Sequence, residues 1–211
     1  LDLSWEDQNI PAIVQAWHLG SKSGDAIAQV LYGDYNPSGK LTMSFPRNVG
    51  QVPVYYNFKN TGRPSTSIEQ VTNSGYADVE NSPLYSFGYG LSYTEFKYSD
   101  FEISSSTMTK DSKINASIRV TNTGNYKGEE VVQLYLRDIV GSIARPMKEL
   151  KGFEKIELNP GESKVVNFEI ENSLLEFYSY NNIWESEPGK FHVFIGADSN
   201  VRDHKEFYLT D

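Results

Sequence analysis

The sequence holds no cysteine and only three histidines, His18, His192 and His204. The first absence removes a disulfide framework, a thiolate metal site and a cysteine nucleophile together. The histidines form neither an H-E-x-x-H run nor an i, i+4 pair, so no zinc motif and no cofactor is read from spacing. Runs of lysine or arginine are missing as well. With 19 basic and 28 acidic residues the net charge is −9, and no phosphate-neutralising face for nucleic acid is expected. No apolar stretch approaches the ~20 residues that span a bilayer, and Leu1-Asp2-Leu3-Ser4 has neither the charged start nor the apolar middle of a signal peptide. A chain opening without methionine, in apolar and strand-like sequence, is expected to be a piece of something longer.

Aromatic residues are plentiful: 14 Tyr, 11 Phe and 3 Trp make up 13% of the 211 residues. Flat rings pack well on pleated surfaces, which predicts a strand-rich fold; stacking on sugars is the second reading. The length suits one large domain or two modest ones, and 38% hydrophobic residues suffice for a core.

The pattern along the chain divides near residue 95. In residues 1–95, Ala12–Trp17 is a short apolar run that predicts a strand covered on both faces. Gly20-Ser21-Lys22-Ser23-Gly24 follows, and Ala26–Tyr32 has helical spacing, with Ser23 as N-cap, Asp25 in the first turn and Gly33 as the stop. Asn36-Pro37-Ser38-Gly39 predicts a type I turn and Leu41–Phe45 a strand. From Pro46 to Ser86 periodicity disappears, as expected for a long surface connection that carries part of a site. From Phe96 the chain reads as all-β. Ile114, Ala116, Ile118 and Val120 alternate with polar residues, as do Val132, Leu134 and Leu136, then Val166, Phe168 and Ile170, then Phe191, Val193 and Ile195. Asn159-Pro160-Gly161-Glu162 and Glu187-Pro188-Gly189-Lys190 predict two type II turns. The fold class is thus an α/β remnant over residues 1–95 followed by an immunoglobulin-like or fibronectin type III-like sandwich over 96–211.

Candidate chemistry is sparse. The glycine loop at 20–24 fits neither G-x-G-x-x-G nor the P-loop, and lysine occupies the nucleophile position of G-x-S-x-G. Paired carboxylates break glycosidic bonds, one protonated to donate and one ionised to attack or to activate water. Glu6, Asp7, Asp25, Asp34, Glu69, Asp78 and Glu80 are the acids of the first half. Glu6-Asp7 reads as a solvated loop, Asp25 as a helix start and Asp34 as a turn residue, while Asp78 and Glu80 face either a cleft or solvent.

A resemblance adds more. Ala16-Trp17-His18-Leu19-Gly20, Asp25 through Leu41, Ser44-Phe45-Pro46-Arg47, Val49 through Pro53, Tyr55-Tyr56-Asn57, Thr61-Gly62-Arg63-Pro64 and Pro83 through Thr94 closely resemble the family 3 glycoside hydrolases, the β-glucosidase group. Val120-Thr121-Asn122-Thr123-Gly124, Gly128 through Tyr135 and Arg145 through Phe153 look like the fibronectin-like C-terminal domain of that family. Ser86 departs from it, standing where the family more often has proline.

The resemblance implies an exo-acting β-glycosidase, most simply a retaining β-glucosidase acting on a β-linked glucoside or oligosaccharide. It also implies that an N-terminal barrel with the nucleophilic aspartate, and the upstream half of the sandwich domain with the acid/base glutamate, lie outside this chain. No catalytic residue carries over, and the fragment alone is expected to be inactive. The candidate substrate-binding residues are Tyr56, Lys59, Asn60, Arg63 and Tyr76 in the Tyr55–Glu80 segment, where tyrosine faces stack on sugar rings and the polar groups donate to hydroxyls. The competing reading has Arg63 and its neighbours pinning a long loop. For the parent enzyme a periplasmic or secreted location is expected. A stand-alone accessory or carbohydrate-binding module is the alternative function.

Overall fold

The structure, a computed structural model, describes residues 2–64 and 74–211. Glu69 and the middle of the Tyr55–Glu80 segment lie outside the described residues. Two short helices open the chain, α1 (Ser4–Asn9) and α2 (Ser23–Leu31), and ten strands follow. These are β1 (Phe96–Ile103), β2 (Thr107–Thr109), β3 (Ile114–Asn122), β4 (Gly128–Asp138), β5 (Glu149–Leu158), β6 (Ser163–Ile170), β7 (Phe177–Tyr178), β8 (Trp184–Glu185), β9 (Gly189–Gly196) and β10 (Lys205–Thr210).

One sheet has the order β1-β3-β6 and the other β2-β10-β9-β4-β5, while β7 and β8 form a small hairpin. All pairs are antiparallel except β2 with β10. Strand alternation buries one face of each sheet against the other. Ile114, Ala116, Ile118 and Val120 of β3 meet Val132, Leu134 and Leu136 of β4 and Phe191, Val193 and Ile195 of β9 within one cluster. Each such side chain contributes about 1.5–3 kcal/mol on leaving water, so this cluster dominates stability. In β1 the register slips between Ser99 and Glu102, where Asp100 takes a φ of 53° and accepts from Arg119 Nε at 2.8 Å.

The sandwich half follows the sequence pattern with two exceptions. Gln133 and Tyr135, on the other face of β4, are also buried because the first half covers them. The Glu187–Lys190 turn does not form. Gly189 is instead the first residue of β9, paired with Leu209, and Glu187 Oε2 accepts from the Ser142 N–H at 2.8 Å. At Asn159–Glu162 the turn is present: Gly161 has φ 78° and the Glu162 N–H bonds Asn159 O at 3.0 Å.

Residues 1–95 depart further. Ala12–Trp17 is irregular, because no strand among the described residues lies beside it to complete a ladder. Leu41–Phe45 is reduced to one bridge, Phe45 with Tyr85. Asn36–Gly39 makes no turn; Asn36 Nδ2 donates to Lys127 O at 2.9 Å, and its Oδ1 accepts from Tyr93 N–H at 2.8 Å. Helix α2 starts at Ser23 itself with Lys22 at the cap position, one residue earlier than the spacing suggested, and ends at Leu31, followed by Tyr32 at the C-cap and Gly33, whose φ is 82°. Glu6-Asp7 sits in the first turn of α1, and Asp7 Oδ1 accepts from the Tyr85 hydroxyl at 2.6 Å. Burial, then that bond, pushes Tyr85 up to about 12.

Candidate functional site

The segment around Tyr56 lies on the start of β5 and on the loop before it. The Met147 N–H donates to Phe58 O at 2.8 Å, Lys59 bridges Pro146, and the Leu150 N–H donates to the Tyr56 hydroxyl at 3.2 Å. The Tyr56 ring is stacked 4.2 Å from Phe87 and meets Tyr135 edge-on at 6.0 Å. One face of the ring is therefore engaged by Phe87. Tyr76 is likewise tied down, its hydroxyl donating to Gln51 O and its N–H to Asn81 Oδ1, both at 3.0 Å.

Lys59, Asn60 and Arg63 are exposed. Asn60 borders a cavity of about 300 Å³ with Arg137, Asp138, Gly141, Arg145 and Met147. Arg63 O accepts from the Ser74 N–H at 2.7 Å, closing the base of the segment between them. The five candidates thus fall into two tyrosines that hold the segment and three polar side chains that it presents. Asp78 is exposed; Glu80, also exposed, pairs with Arg47 at 3.3 Å.

Beneath the cavity lies a charge cluster that spacing did not single out. By alternation Glu130, Val132, Leu134, Leu136 and Asp138 share the inner face of β4, so an acid stands at each end. Arg145 Nη2 donates to Glu149 Oε2 at 3.0 Å, and the guanidinium lies 4.2 Å over the Phe177 ring. Arg145 Nε stands 3.4 Å from Asp138 Oδ2 but lacks an aligned hydrogen bond. Burial accordingly raises the Asp138 carboxyl despite the neighbouring arginine. Lys148 Nζ reaches Ser199 O at 2.9 Å and Val201 O, and lies 4.3 Å over Phe194; burial pulls it down to about 8. The run Arg145–Phe153 carried these residues in the sequence, but only their burial gives them a role.

At the other end of β4, Lys40 Nζ donates to Glu130 Oε2 at 3.1 Å and to Gly90 O at 2.9 Å, and the Tyr98 hydroxyl donates to Glu130 Oε1 at 2.9 Å. Burial raises the Glu130 carboxyl more than Lys40 and Tyr98 lower it, and Tyr98 itself is raised well above the phenol range by burial and then by Glu130. Between these ends Gln133 Nε2 donates to Gly88 O at 3.1 Å and to Ala197 O at 2.5 Å, so Phe87–Gly90 seals the outer face of β4. Thr94 and Asn122 complete the seam. Asn122 Oδ1 accepts from Thr94 at 2.7 Å, while Nδ2 donates to Tyr126 O at 2.8 Å and Leu158 O at 3.0 Å.

Comparison with known proteins accounts for both halves. Residues 1–93 match the glycosyl hydrolase family 3 C-terminal domain, and residues 130–199 the fibronectin type III-like domain. A periplasmic β-glucosidase of Salmonella typhimurium is 54% identical over 94% of this chain and 26% of its own length. A β-xylosidase of Formosa agariphila is 41% identical over 100% of the chain and 28% of its own length. Among solved structures, a β-glucosidase from Listeria innocua in complex with glucose has a TM-score of 0.92 at 39% identity, covering 100% of this chain and 29% of that one. The chain therefore spans between a quarter and three tenths of these proteins. With both halves matched and relatives this similar along nearly its whole length, the chain belongs to glycosyl hydrolase family 3.

Proposed function

We propose that this chain is the C-terminal portion of an exo-acting β-glycosidase of the β-glucosidase type, which hydrolyses terminal non-reducing β-D-glucosyl residues. The observation that carries the reading is the 54% identity to a β-glucosidase across both halves. The surface supports it. Trp5, Val14, Trp17, Leu31 and Tyr32 are all about half exposed or more, and Tyr32 is 85% exposed. So many uncovered large apolar side chains in the first 32 residues fit a region that docks further domains of the same enzyme.

In that assembly residues 1–95 complete the α/β sandwich domain, and residues 96–211 form the fibronectin-like unit that braces it. Lys59, Asn60 and Arg63 wall the sugar pocket, with Tyr56 and Tyr76 holding their segment in place. The parent enzyme resides in the periplasm, as the name of the Salmonella relative suggests; no helix among the described residues is long and apolar enough to cross a membrane.

The test is release of nitrophenol from aryl β-glucoside and β-xyloside. The polypeptide carrying this chain behind a barrel domain turns over the glucoside, while the 211-residue chain does not, since retaining chemistry needs two carboxyls ~5–5.5 Å apart across one sugar ring. Turnover by the chain alone that disappears on Asp78→Asn or Glu80→Gln would overturn this placement of the catalytic pair. A parent polypeptide inert on every aryl glycoside would favour an accessory or carbohydrate-binding module.

A further inference from the structure

On the solvent face of the five-stranded sheet, Arg137, His192 and Glu206 stand side by side on β4, β9 and β10, since Arg137 pairs with His192 and His192 with Glu206. His204, one residue before β10, folds back so that its ring stacks on His192 with centroids 4.1 Å apart and planes 19° from parallel. His192 Nε2 lies 3.1 Å and His204 Nε2 3.9 Å from Glu206 Oε1. The ligand atoms of all three residues fall within 4.8 Å of one another. We propose that His192, His204 and Glu206 form a surface site for one divalent transition ion of the zinc, nickel and copper group, completed by water.

The donor set suits such an ion. Metal–nitrogen and metal–oxygen bonds of ~2.0–2.2 Å at a tetrahedral angle separate neighbouring donors by roughly 3.3 Å, and the two imidazole–carboxylate separations bracket that value; the stacked rings, 19° from parallel, must turn for both Nε2 lone pairs to meet one ion. Imidazole with one carboxylate is a ligand set that zinc, nickel and copper accept. His204 Nδ1 is 3.1 Å from Arg202 O. A carbonyl only accepts, so Nδ1 carries the proton in this contact, which leaves Nε2 as the ring nitrogen available to an ion. This backbone partner is the outer support that metal-bound histidines usually have. Two cations oppose the ion: Lys190 Nζ lies 2.7 Å from Glu206 Oε1, and Arg137 flanks His192 across the strand pair. Lys190 is therefore a built-in competitor for the carboxylate, and its removal should tighten binding.

Three sequence features fail to announce this site. The histidines are twelve positions apart, belong to different segments, and meet only through antiparallel register. Nothing in the β-glycosidase reading requires the site, so the two stand or fall separately.

The experiment titrates the 211-residue chain with zinc chloride against a chromophoric chelator near neutral pH, with cobalt as a spectroscopic substitute. One ion per chain is expected, with cobalt showing the intense visible bands of four-coordination. His204→Ala and Glu206→Gln should each weaken binding at least about tenfold, Lys190→Met should strengthen it, and His18→Ala should leave it unchanged. Circular dichroism confirms that each variant is folded; His204 is exposed enough that its loss leaves the core intact. Failure to bind zinc at millimolar concentration, or equal affinity in wild type and the His192→Ala/His204→Ala variant, would overturn the proposal.

Discussion

Lys40 and Glu130 meet across the junction between the first half of the chain and the sandwich, with Nζ 3.1 Å from the carboxylate and side chains only 11% and 3% exposed. Taking either charge out of water is costly, and the pair is held by two further hydrogen bonds, to Gly90 O and from Tyr98. This contact ties residues 1–95 to the inner end of β4.

Breaking the pair on one side leaves a buried, uncompensated charge. Lys40→Met is expected to cost about 3–5 kcal/mol in urea unfolding near neutral pH, whereas Lys40→Met combined with Glu130→Gln should recover most of it. The single variant should also become pH-dependent. Burial already raises the Glu130 carboxyl, so the folded state binds a proton that the unfolded chain has released. Stability of Lys40→Met is then full below the ordinary carboxylate range and falls as pH rises through the folded value. A flat pH profile for that variant would contradict the assignment.

Gly88 and Gly33 share a φ of 82° but differ in surroundings. A Cβ at Gly88 would lie 2.2 Å from Gln133 Oε1, while one at Gly33 meets nothing within 4 Å. Gly33→Ala should lose only the cost of left-handed backbone, about 1–2 kcal/mol. Gly88→Ala adds a steric conflict with the side chain that holds Gly88 O and Ala197 O, and about 2–5 kcal/mol is expected in total. Equal unfolding midpoints for the two variants would show that the contact with Gln133 carries no weight.

Residues 96–211 are expected to fold alone. Every buried member of the main apolar cluster lies between Phe101 and Leu209, whereas among the described residues of the first half Phe45 is the one buried large hydrophobic side chain. The isolated segment should give a dispersed amide spectrum and a single unfolding transition, at lower stability because Glu130 and Gln133 lose their partners. Absence of a cooperative transition would mean that the first half is needed for folding.

What was legible in the sequence follows from where burial is one-sided. β3 alternates because its outer face meets solvent, so Ile114 to Val120 could be read directly. β4 could be read only in part, since Gln133 and Tyr135 are buried by Phe87–Gly90 and Tyr56, which no local pattern reveals. Ala12–Trp17 misled because apolar content cannot tell a paired strand from a segment awaiting a partner, and Pro188-Gly189 because turn composition also suits a strand entrance. The rings of Tyr56 and Tyr76 are evident in the sequence, whereas their hydroxyl bonds, and the stack of Tyr56 on Phe87, appear only in the fold. The buried Asp138–Arg145 pair meets only in three dimensions, and Lys148 is buried separately, over Phe194.

Lys148 should titrate near 8, well below an ordinary lysine at ~10.4, because its ammonium is enclosed beside Phe194 and Tyr135. Between these values the unfolded chain holds a proton that the folded chain has released, so stability rises with pH across that window; below it the cost of burying the charged ammonium is present in full and does not vary with pH. Lys148→Met should abolish that rise. Nuclear magnetic resonance of the lysine side chains checks the value, and a Lys148 that titrates with the exposed lysines would refute its burial.

In the parent enzyme, Arg63→Ala is expected to reduce activity more than Lys59→Ala. Both side chains are exposed in this chain, yet they differ in what they can hold. A guanidinium offers five donors in a rigid plane and can grip a sugar diol or a carbonyl in one geometry, whereas an ammonium is a mobile point charge. Arg63 also sits at the base of its segment, where its carbonyl accepts from Ser74, while Lys59 is fastened through its backbone to Pro146 regardless of its side chain. Enclosed in the assembled pocket, a charge-assisted hydrogen bond is worth ~1.5–3 kcal/mol, which corresponds to a loss of roughly ten- to a hundredfold in kcat/KM. If Arg63 acts on substrate, the loss appears on aryl glucoside while the unfolding midpoint of the parent is unchanged; if it only pins the segment, the midpoint falls as well. Wild-type kinetics for both variants would place this segment away from the sugar.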